Sequence, residues 1–377
     1  MTDPSPGSEV GPLGRDLRVE IEKFLASQPS TLDQKIMANT VRDLRKAFDL
    51  LKQVEGRAKV TIFGSARTAS HDPLYEQTVR VARELAAQGW MVITGAGPGI
   101  MEAGMVGAGR EGSIGVSIVL PFENEANEII AGDEKHIALK YFFTRKFALT
   151  KASQAFICMP GGFGTLDELF ELLTLTQTGK GNPVPIVLLD VPGDTYWQQV
   201  GEFIESQMAS RGLISGEDRA LFFTTNDAVA AVAEVTKFYS NYHSLRFIGN
   251  KLVIRMQRGP SDEELATMNT RFAHVVRQGL IERATAHPAE IRDNDEPDLA
   301  RIALFFGDPA KYRFGFCNGP SRPLKVFFDG QFARITFDRA RKNGESRVGK
   351  TFVDSRQLVG LGFEIGVEFR HDRSASP

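Results

Sequence analysis

The chain has 377 residues, of which 42% are hydrophobic and 24% charged, and its formal net charge at pH 7 is −2. This length exceeds one typical domain, so two domains are expected. The nearly balanced charge excludes the strong positive field that non-specific nucleic-acid binding requires. Two cysteines, Cys158 and Cys317, are too few for a disulfide framework and favour a reducing, cytoplasmic compartment. The N-terminus lacks the order of a signal peptide, and no apolar run reaches the roughly 20 residues that span a bilayer, so no membrane association is expected.

The first 56 residues divide into a tail and a helical segment. Residues 1–14 are rich in Pro, Gly and Ser and predict a disordered tail. Residues 15–56 carry apolar residues at helical spacing on both sides of a polar break at 28–33. This pattern predicts two helices that pack on the main domain.

Residues 57–240 alternate short apolar runs with helical patterns. The runs predict buried strands at 59–63, 90–94, 114–119, 154–159 and 184–189. Helical patterns at 74–88 and 165–178 lie between them. Continuous apolar strands that alternate with helices are typical of a parallel sheet covered on both faces. The fold class predicted for this part is therefore a doubly wound, Rossmann-like α/β domain.

Residues 241–377 differ in charge and pattern from the rest of the chain. They contain 22 Lys+Arg against 17 Asp+Glu and 13 of the 27 phenylalanines. Apolar runs at 251–256, 324–328 and 332–337 predict antiparallel strands. Ser261 and Glu264 form a capping-box pattern at the start of a helix whose apolar face is expected to include Leu265, Met268, Phe272, Val275 and Val276. A smaller C-terminal α+β domain is predicted, with no role assigned to it.

Ligands of doubly wound sheets bind where the strands end, and the loops after the first two strands contain glycines. Gly64 and Ser65 follow the first strand and precede Arg67, although a glycine turn and a solvated arginine explain that loop equally well. The second strand ends in the segment 94–102, which has glycines at alternate positions before a helix. Exposed backbone amides and a helix N-terminus favour a phosphate there. A tight strand-to-helix turn is the simpler alternative.

The fourth strand ends in a further glycine-rich turn, Pro160 to Thr165, with three acids expected in or near the first turn of the following helix. Thr165 and Glu168 have the spacing of a capping box, and Glu168 is equally placed to act on a sugar whose phosphate the loop holds. Arg145 and Lys146 lie in an apolar segment before this strand. Arg145 could pair with a phosphate or with Glu168, whereas a solvated helix face is the simpler alternative for the basic pair.

These segments resemble the LOG (Lonely Guy) family, once labelled lysine decarboxylase-like. The family signature PGGxGTxxE is complete as residues 160–168, and TGAGPGIMEA at 94–103 matches the family's glycine-rich segment with Ala96 where a glycine is usual. The resemblance covers about residues 55–240. It implies a phosphoribohydrolase that cleaves a nucleoside 5′-monophosphate, such as AMP or a cytokinin nucleotide, to the free base and ribose 5-phosphate.

The resemblance also assigns site residues. It places the essential pair at Arg145 and Glu168, although residues 141–144 depart from the family's methionine and histidine before the arginine. We expect the nucleotide and its phosphate to contact Gly64, Ser65, Thr94, Gly95, Gly97, Gly99, Met101, Lys146, Gly161, Gly162, Gly164 and Thr165. No metal and no cofactor is expected, because the six histidines show no metal spacing and no lysine segment suggests a Schiff base with pyridoxal phosphate.

Two other hypotheses remain open. A nucleotide-binding sensor or carrier would use the same loops without hydrolysis and would not depend on Glu168. The C-terminal domain could contact RNA, but its positive charge is spread along 137 residues rather than concentrated in a patch. Family resemblance further implies a homo-oligomer, a dimer or larger, with the nucleoside 5′-monophosphate as the small-molecule partner.

Overall fold

The computed structural model describes residues 11–119, 126–273 and 276–306, together with the backbone of three strands between 312 and 336. The helices are α1 (Pro12–Ala26), α2 (Thr31–Gln53), α3 (Pro73–Ala87), α4 (Ile100–Gly112), α5 (Phe142–Ala152), α6 (Phe163–Gln177), α7 (Tyr196–Phe203), α8 (Ala228–Phe238), α9 (Asp262–Arg271) and α10 (Pro288–Arg292). A π-helical segment (Ile204–Ala209) and a 3-10 helix (Gly216–Leu221) lie between α7 and α8.

The strands form three sheets. They are β1 (Lys59–Phe63), β2 (Met91–Thr94), β3 (Ser113–Ile118), β4 (His136–Leu139), β5 (Ala155–Cys158), β6 (Ile186–Leu189), β7 (Phe223–Thr225), β8 (Tyr242–Ile248), β9 (Lys251–Met256), β10 (Val276–Ala284), β11 (Ala300–Phe306), β12 (Tyr312–Phe316), β13 (Pro323–Phe328) and β14 (Gln331–Thr336). Among the described helices, none is both long enough and apolar enough to cross a bilayer.

The first sheet has seven parallel strands in the order β4-β3-β2-β1-β5-β6-β7. Strand β1 lies between β2 and β5, pairing Val60 with Val92 on one side and with Ala155 on the other. The chain reverses its direction of winding at β1, and this is where doubly wound sheets bind ligands. The loops that follow β1, β2 and β5 therefore meet at one edge of the sheet. The predicted α/β class is confirmed.

The core occupies both faces of this sheet. Phe63, Ile93 and Phe156 point into a cluster that includes Trp197, whereas Val60 and Ile157 belong to a cluster on the opposite face. Every residue of β1 is buried, because side chains alternate between two covered faces. Strands β4 and β7 were not predicted from the sequence. They have only four and three residues and lie at the two edges of the sheet.

The N-terminal helices lie at 12–26 and 31–53, on either side of the polar break. The predicted tail at 1–14 needs a correction at its end, because α1 already begins at Pro12. Proline suits the first turn of a helix, since its fixed φ is helical and its missing N–H would have no partner there. Residues 1–10 of the predicted tail lie outside the described residues.

The C-terminal part contains a separate antiparallel sheet in the order β10-β11-β9-β8, and a further sheet contains β12, β13 and β14. The predicted capping box is confirmed: Ser261 Oγ accepts from Glu264 N at 3.1 Å, and Glu264 Oε2 accepts from Ser261 N at 2.6 Å. Buried side chains including Met268 and Phe272 form a core distinct from that of the parallel sheet. The smaller α+β unit is thus confirmed, with no residue of it assigned to the site.

The helix predicted to continue through Val276 ends at Arg271 instead. Phe272 is the C-cap residue and Val276 opens β10, while Val275 lies outside the described residues. The side chain of Asn269 donates to Ile281 O at 2.9 Å and accepts from Ile281 N at 2.7 Å. These two hydrogen bonds hold the end of α9 against β10. The chain therefore turns back after α9, and apolar side chains of both α9 and β10 are buried in the same core.

A glycine lets α3 and α4 approach closely. A Cβ at Gly107 would overlap Val79 O and would come within 2.7 Å of Ala82 Cβ. We predict that Gly107→Ala lowers the free energy of unfolding by about 1–3 kcal/mol through overpacking. Gly201→Ala is the control, because a Cβ there meets nothing within 4 Å and alanine is the better helix former. Urea unfolding measures the free energy of unfolding of both variants. Equal changes in Gly107→Ala and Gly201→Ala would contradict this account of the α3–α4 contact.

Candidate active site

A cavity of ≈ 660 Å³ lies at the edge of the parallel sheet where β1, β2 and β5 end. Four segments surround it: the end of β1 with its loop, the β2 loop, the first turn of α5, and the loop and first turns of α6. The lining residues are Ile62, Phe63, Gly64, Ser65, Ala66, Arg67, Gly95, Met101, Phe142, Arg145, Gly161, Gly162, Phe163, Gly164, Thr165, Leu166, Asp167 and Glu168.

The loops after β1 and β2 are in direct contact. Gly99 is the N-cap residue of α4 and has a φ of 67°, a conformation that favours glycine. A Cβ at this position would come within 2.5 Å of Ser65 O, and Ile100 N donates to the same oxygen at 3.0 Å. Gly64 is similarly restricted, because a Cβ there would lie 2.5 Å from Ile100 Cγ2. These glycines allow the two loops to form one wall of the cavity.

The third loop ends in the N-terminus of α6. Gly162 is the N-cap residue and has no side chain with which to cap the helix. The first amides of an α-helix have no partner within the helix, and they carry the positive end of its dipole. Tyr196, the first residue of α7, stabilises the loop: its hydroxyl donates to Gly161 O at 2.6 Å. Amides with these properties make the start of α6 suitable for an anion.

The predicted capping box at Thr165 and Glu168 is wrong. Because α6 begins at Phe163, Thr165 is its third residue rather than its N-cap, and its side chain lies against Gly161. The acids lie near the first turn of α6 rather than in it: Asp167 and Glu168 follow it directly, and Glu171 comes about one turn later. Glu168 is therefore free of a capping role and lines the cavity.

Arg145 reaches the cavity from α5. Its Nε donates to Val116 O at 3.1 Å, and its guanidinium contacts Gly95, where a Cβ would overlap Nη2. Burial lowers the pKa of Arg145, and the charge of Glu168 opposes this effect. An arginine remains protonated in proteins, so the cavity has a fixed positive charge on one wall. Among the described ion pairs, none joins Arg145 directly to Glu168, and both side chains face the cavity.

Glu168 is removed from water, with 9% of its surface exposed. Burial raises its pKa to about 7, and the positive charges of Arg145 and Lys146 oppose that increase. A carboxyl group with such a pKa is present in both protonation states near neutral pH. This is the property that general acid–base chemistry requires of a side chain.

The structure brings most of the predicted site residues together but leaves four away from the cavity lining. Lys146 forms ion pairs with Asp167 Oδ2 at 2.9 Å and with Glu171 Oε2 at 2.6 Å. Thr94 is buried, and its Oγ1 accepts from Ala96 N at 3.0 Å. A Cβ at Gly97 would lie 2.7 Å from Met101 Cε, and one at Gly99 would lie 2.5 Å from Ser65 O. These two glycines therefore let the β2 loop pack closely against its neighbours, and Lys146 pairs with the acidic side chains of α6.

Six apolar residues of the lining were not predicted from the sequence as site residues: Ile62, Phe63, Ala66, Phe142, Phe163 and Leu166. Phe163 is 95% exposed although it is a large aromatic residue. It occupies the variable position of the PGGxGTxxE signature, which is why the motif gave it no role. The sequence contains no signal for Phe163; its exposure, which often marks a binding surface, is visible only in the structure.

Fold and site together define a doubly wound α/β protein with a candidate anion-binding and acid–base pocket at the switch point of its sheet. A family model described as "Possible lysine decarboxylase" matches residues 95–235. The probable cytokinin riboside 5′-monophosphate phosphoribohydrolase LOGL3 of Oryza sativa is 31% identical over 197 residues, covering 50% of this chain and 88% of the relative. The cytokinin riboside 5′-monophosphate phosphoribohydrolase LOG3 of Arabidopsis thaliana is 27% identical, covering 55% and 94%. The chain belongs to the LOG family.

Solved structures similar to this chain include the molybdenum cofactor carrier protein of Chlamydomonas reinhardtii. The sequences are 20% identical, the TM-score is 0.33, and the similarity covers 47% of this chain and 94% of the carrier. DNA processing protein A of Helicobacter pylori is 18% identical with a TM-score of 0.32, covering 49% and 81%.

The residues of the cavity do not fit the pyridoxal phosphate that a lysine decarboxylase would hold. Such a site needs a lysine for the Schiff base, and the described lining contains Arg67 and Arg145 but no lysine. Lys146 is paired with two carboxylates, and Lys151 lies 6.0 Å from the ring of Phe48. Within the described ranges, no group of three His, Cys, Asp or Glu side chains is arranged to hold a metal ion.

The electrostatics of Glu168 give a prediction that does not depend on the reaction. Removing the charge of Arg145 in Arg145→Gln should raise the pKa of Glu168 above about 7, because that charge holds it down. NMR titration of carbon-13-labelled glutamate carboxyls, with the signal assigned through Glu168→Gln, measures it. Lys151→Gln, on the far end of the same helix, is the control. An unchanged pKa in Arg145→Gln would contradict the geometry described here.

Proposed function

We propose that this protein hydrolyses the N-glycosidic bond of a nucleoside 5′-monophosphate to the free base and ribose 5-phosphate. The observation that carries the proposal is the placement of two charged groups in one cavity: Glu168, whose pKa is about 7, and the half-buried Arg145. The same cavity contains the N-terminus of α6, whose N-cap Gly162 has no capping side chain. The names of the plant relatives, which describe phosphoribohydrolases of nucleotides, support the same reaction.

The phosphate is proposed to bind at the start of α6. Backbone amides from Gly161 to Thr165 lie at a helix N-terminus whose N-cap, Gly162, has no capping side chain. An added Cβ at Gly162 or Gly164 would meet nothing within 4 Å. The β1 loop forms the adjacent wall, where Ser65 and Arg67 add a hydroxyl and a positive charge. This placement explains why a monophosphate, rather than the nucleoside, is the proposed substrate.

Glu168 is proposed to act at the anomeric carbon. As the bond to the base breaks, positive charge develops on the sugar, and an ionised carboxylate nearby stabilises that charge. The same carboxylate accepts a proton from the attacking water, whose oxygen forms the new bond to the anomeric carbon. The departing base takes up the proton that balances the reaction. Arg145 fixes the ligand and keeps a fraction of Glu168 ionised at neutral pH.

The base is proposed to occupy the apolar part of the cavity. The apolar side chains of the lining include Met101, Phe142, Phe163 and Leu166. Flat aromatic bases stack on aromatic side chains in proteins, so the two phenylalanines suit a nucleobase. We propose two kinds of substrate: cytokinin-type nucleotides, which the relatives' names specify, and AMP, which the family resemblance of the sequence implies.

We predict that the protein releases free base from one or more nucleoside 5′-monophosphates and leaves the matching nucleosides intact. Glu168→Gln should reduce turnover by about 10²–10⁴-fold, the usual contribution of a positioned acid–base group. Chromatography of the released base, across a panel of purine and pyrimidine monophosphates, measures both effects.

Glu111→Gln is the matched control, because this glutamate is exposed on the last turn of α4 and outside the cavity lining. It should keep wild-type turnover. If wild type binds a monophosphate but releases no base from any member of the panel, hydrolysis is refuted and a binding-only sensor or carrier takes its place. In that case Glu168→Gln should bind as wild type does.

A further inference from the structure

Helix α5 places Arg145 in the cavity, but its own sequence provides no cap. Its N-cap residue is Tyr141, whose side chain makes no capping hydrogen bond. Arg145 N donates to Tyr141 O at 3.1 Å, which closes the first turn of the helix. The direction in which the guanidinium points therefore depends on how this first turn is held, because the amides at a helix start need external acceptors.

The missing acceptor comes from another helix. Asp43 of α2 places its Oδ2 at the start of α5, where it accepts from Lys140 N at 2.8 Å, from Tyr141 N at 3.2 Å and from Thr144 Oγ1 at 2.8 Å. Only 3% of Asp43 is exposed. A carboxylate at a helix N-terminus is stabilised by the positive end of the helix dipole. Asp43 therefore acts as an N-terminal cap supplied from outside α5.

Further contacts fix α2 along α5 and β4. Lys46 Nζ donates to Ala138 O at 3.2 Å, at the end of β4. The rings of Phe48 and Phe147 meet edge to face with centroids 6.2 Å apart. Ala47 and Leu50 are buried in the same core as Leu149 of α5. The position of Asp43 is thus set by packing, and α2 lies outside the segment that the family model matches, 95–235.

We propose that Asp43 is a positioning residue for Arg145: by capping α5 from α2, it holds the guanidinium against Val116 O and Gly95 in the cavity. The inference rests on the proposed function for the part that concerns turnover. It gives the N-terminal helices a role in the site, because an element beyond the matched family segment orders a residue that faces the substrate.

The physical consequence of removing the carboxylate follows from its three donors. Asp43→Ala leaves the amides of Lys140 and Tyr141 without this acceptor, and the Thr144 hydroxyl keeps only Tyr141 O, at 2.8 Å. Loss of an acceptor is unfavourable for polar groups that are partly removed from water. The first turn of α5 then loses order, and Arg145 moves with it. Asp43→Asn keeps an acceptor oxygen in the same place, and asparagine caps helices about as well as aspartate. Rescue by asparagine therefore distinguishes the cap from a requirement for charge.

The first experiment compares steady-state turnover in matched variants. Asp43→Ala should lower kcat/KM by about 10- to 100-fold, the effect of a small misplacement at a reacting centre, whereas Asp43→Asn should retain most of the activity. Asp49→Ala is the control: it makes the same substitution on the same helix, and its side chain is 60% exposed and pairs only with Arg45 in the described ion pairs. Asp43→Ala and Asp49→Ala with the same kcat/KM would overturn the proposal.

A double-mutant cycle tests whether Asp43 acts through Arg145. In an Arg145→Ala background, Asp43→Ala should add little further loss, because the group it positions is absent. Equal losses in both backgrounds would mean that Asp43 acts on overall folding alone, and would overturn the proposal. If Asp43→Ala does not fold, Thr144→Val replaces it, since this change removes only one donor to Asp43 and should lower kcat/KM in the same direction.

Hydrogen exchange separates this inference from the proposed function. Exchange at residues 140–146 should be faster in Asp43→Ala than in wild type and unchanged in Asp49→Ala, whether or not the protein has a substrate. Wild type that releases no base from any nucleoside 5′-monophosphate of the panel would refute the proposed function, while faster exchange in Asp43→Ala would still support the cap. Unchanged exchange at 140–146 would overturn the proposed role of Asp43 irrespective of turnover.

Discussion

The burial of Glu168 beside a fixed positive charge is the constraint on which the site depends. Burial raises the pKa of the Glu168 carboxyl because the charged form loses its contact with water. The positive charge of Arg145 lowers the pKa again, so a fraction of Glu168 remains ionised at neutral pH. A pKa of Glu168 near neutrality requires both its burial and the nearby charge of Arg145. Both α5 and α6 have their first turns at one cavity. The sheet places them there, because β5 lies between the two helices in the chain and pairs with β1 in the sheet.

The glycines of the site serve this arrangement in two different ways. Gly99 and Gly64 allow backbone and side chains of two loops to touch, so they build the wall opposite α6. Gly162 and Gly164 meet nothing within 4 Å of an added Cβ and leave the amides of α6 open to the cavity. Ala96 has a φ of 60° in the β2 loop, where the family usually has glycine. A non-glycine residue in that region is strained by about 1–2 kcal/mol, which the surrounding packing must offset.

The sequence was most informative where local pattern and tertiary environment agree. The strands at 59–63 and 251–256 are visible as apolar runs, and the capping box at Ser261 depends only on residues within one turn. The α6 capping box failed because Thr165 and Glu168 had the right spacing but the helix begins at Phe163, which spacing alone does not reveal. Asp43 was not identifiable at all, since its partners lie 97 to 101 positions away in the chain. Contacts between distant segments of this kind leave no local signature.

The most direct test of the central claim is the structure of Glu168→Gln bound to AMP, since the variant should hold the substrate without cleaving it. The account predicts the phosphate within hydrogen-bonding distance of the amides at 161–165, the anomeric carbon facing residue 168, and Arg145 beside the ligand. A nucleotide bound elsewhere would contradict it. So would a nucleotide in this cavity whose base contacts the amides at 161–165 and whose phosphate lies against Phe142 and Met101.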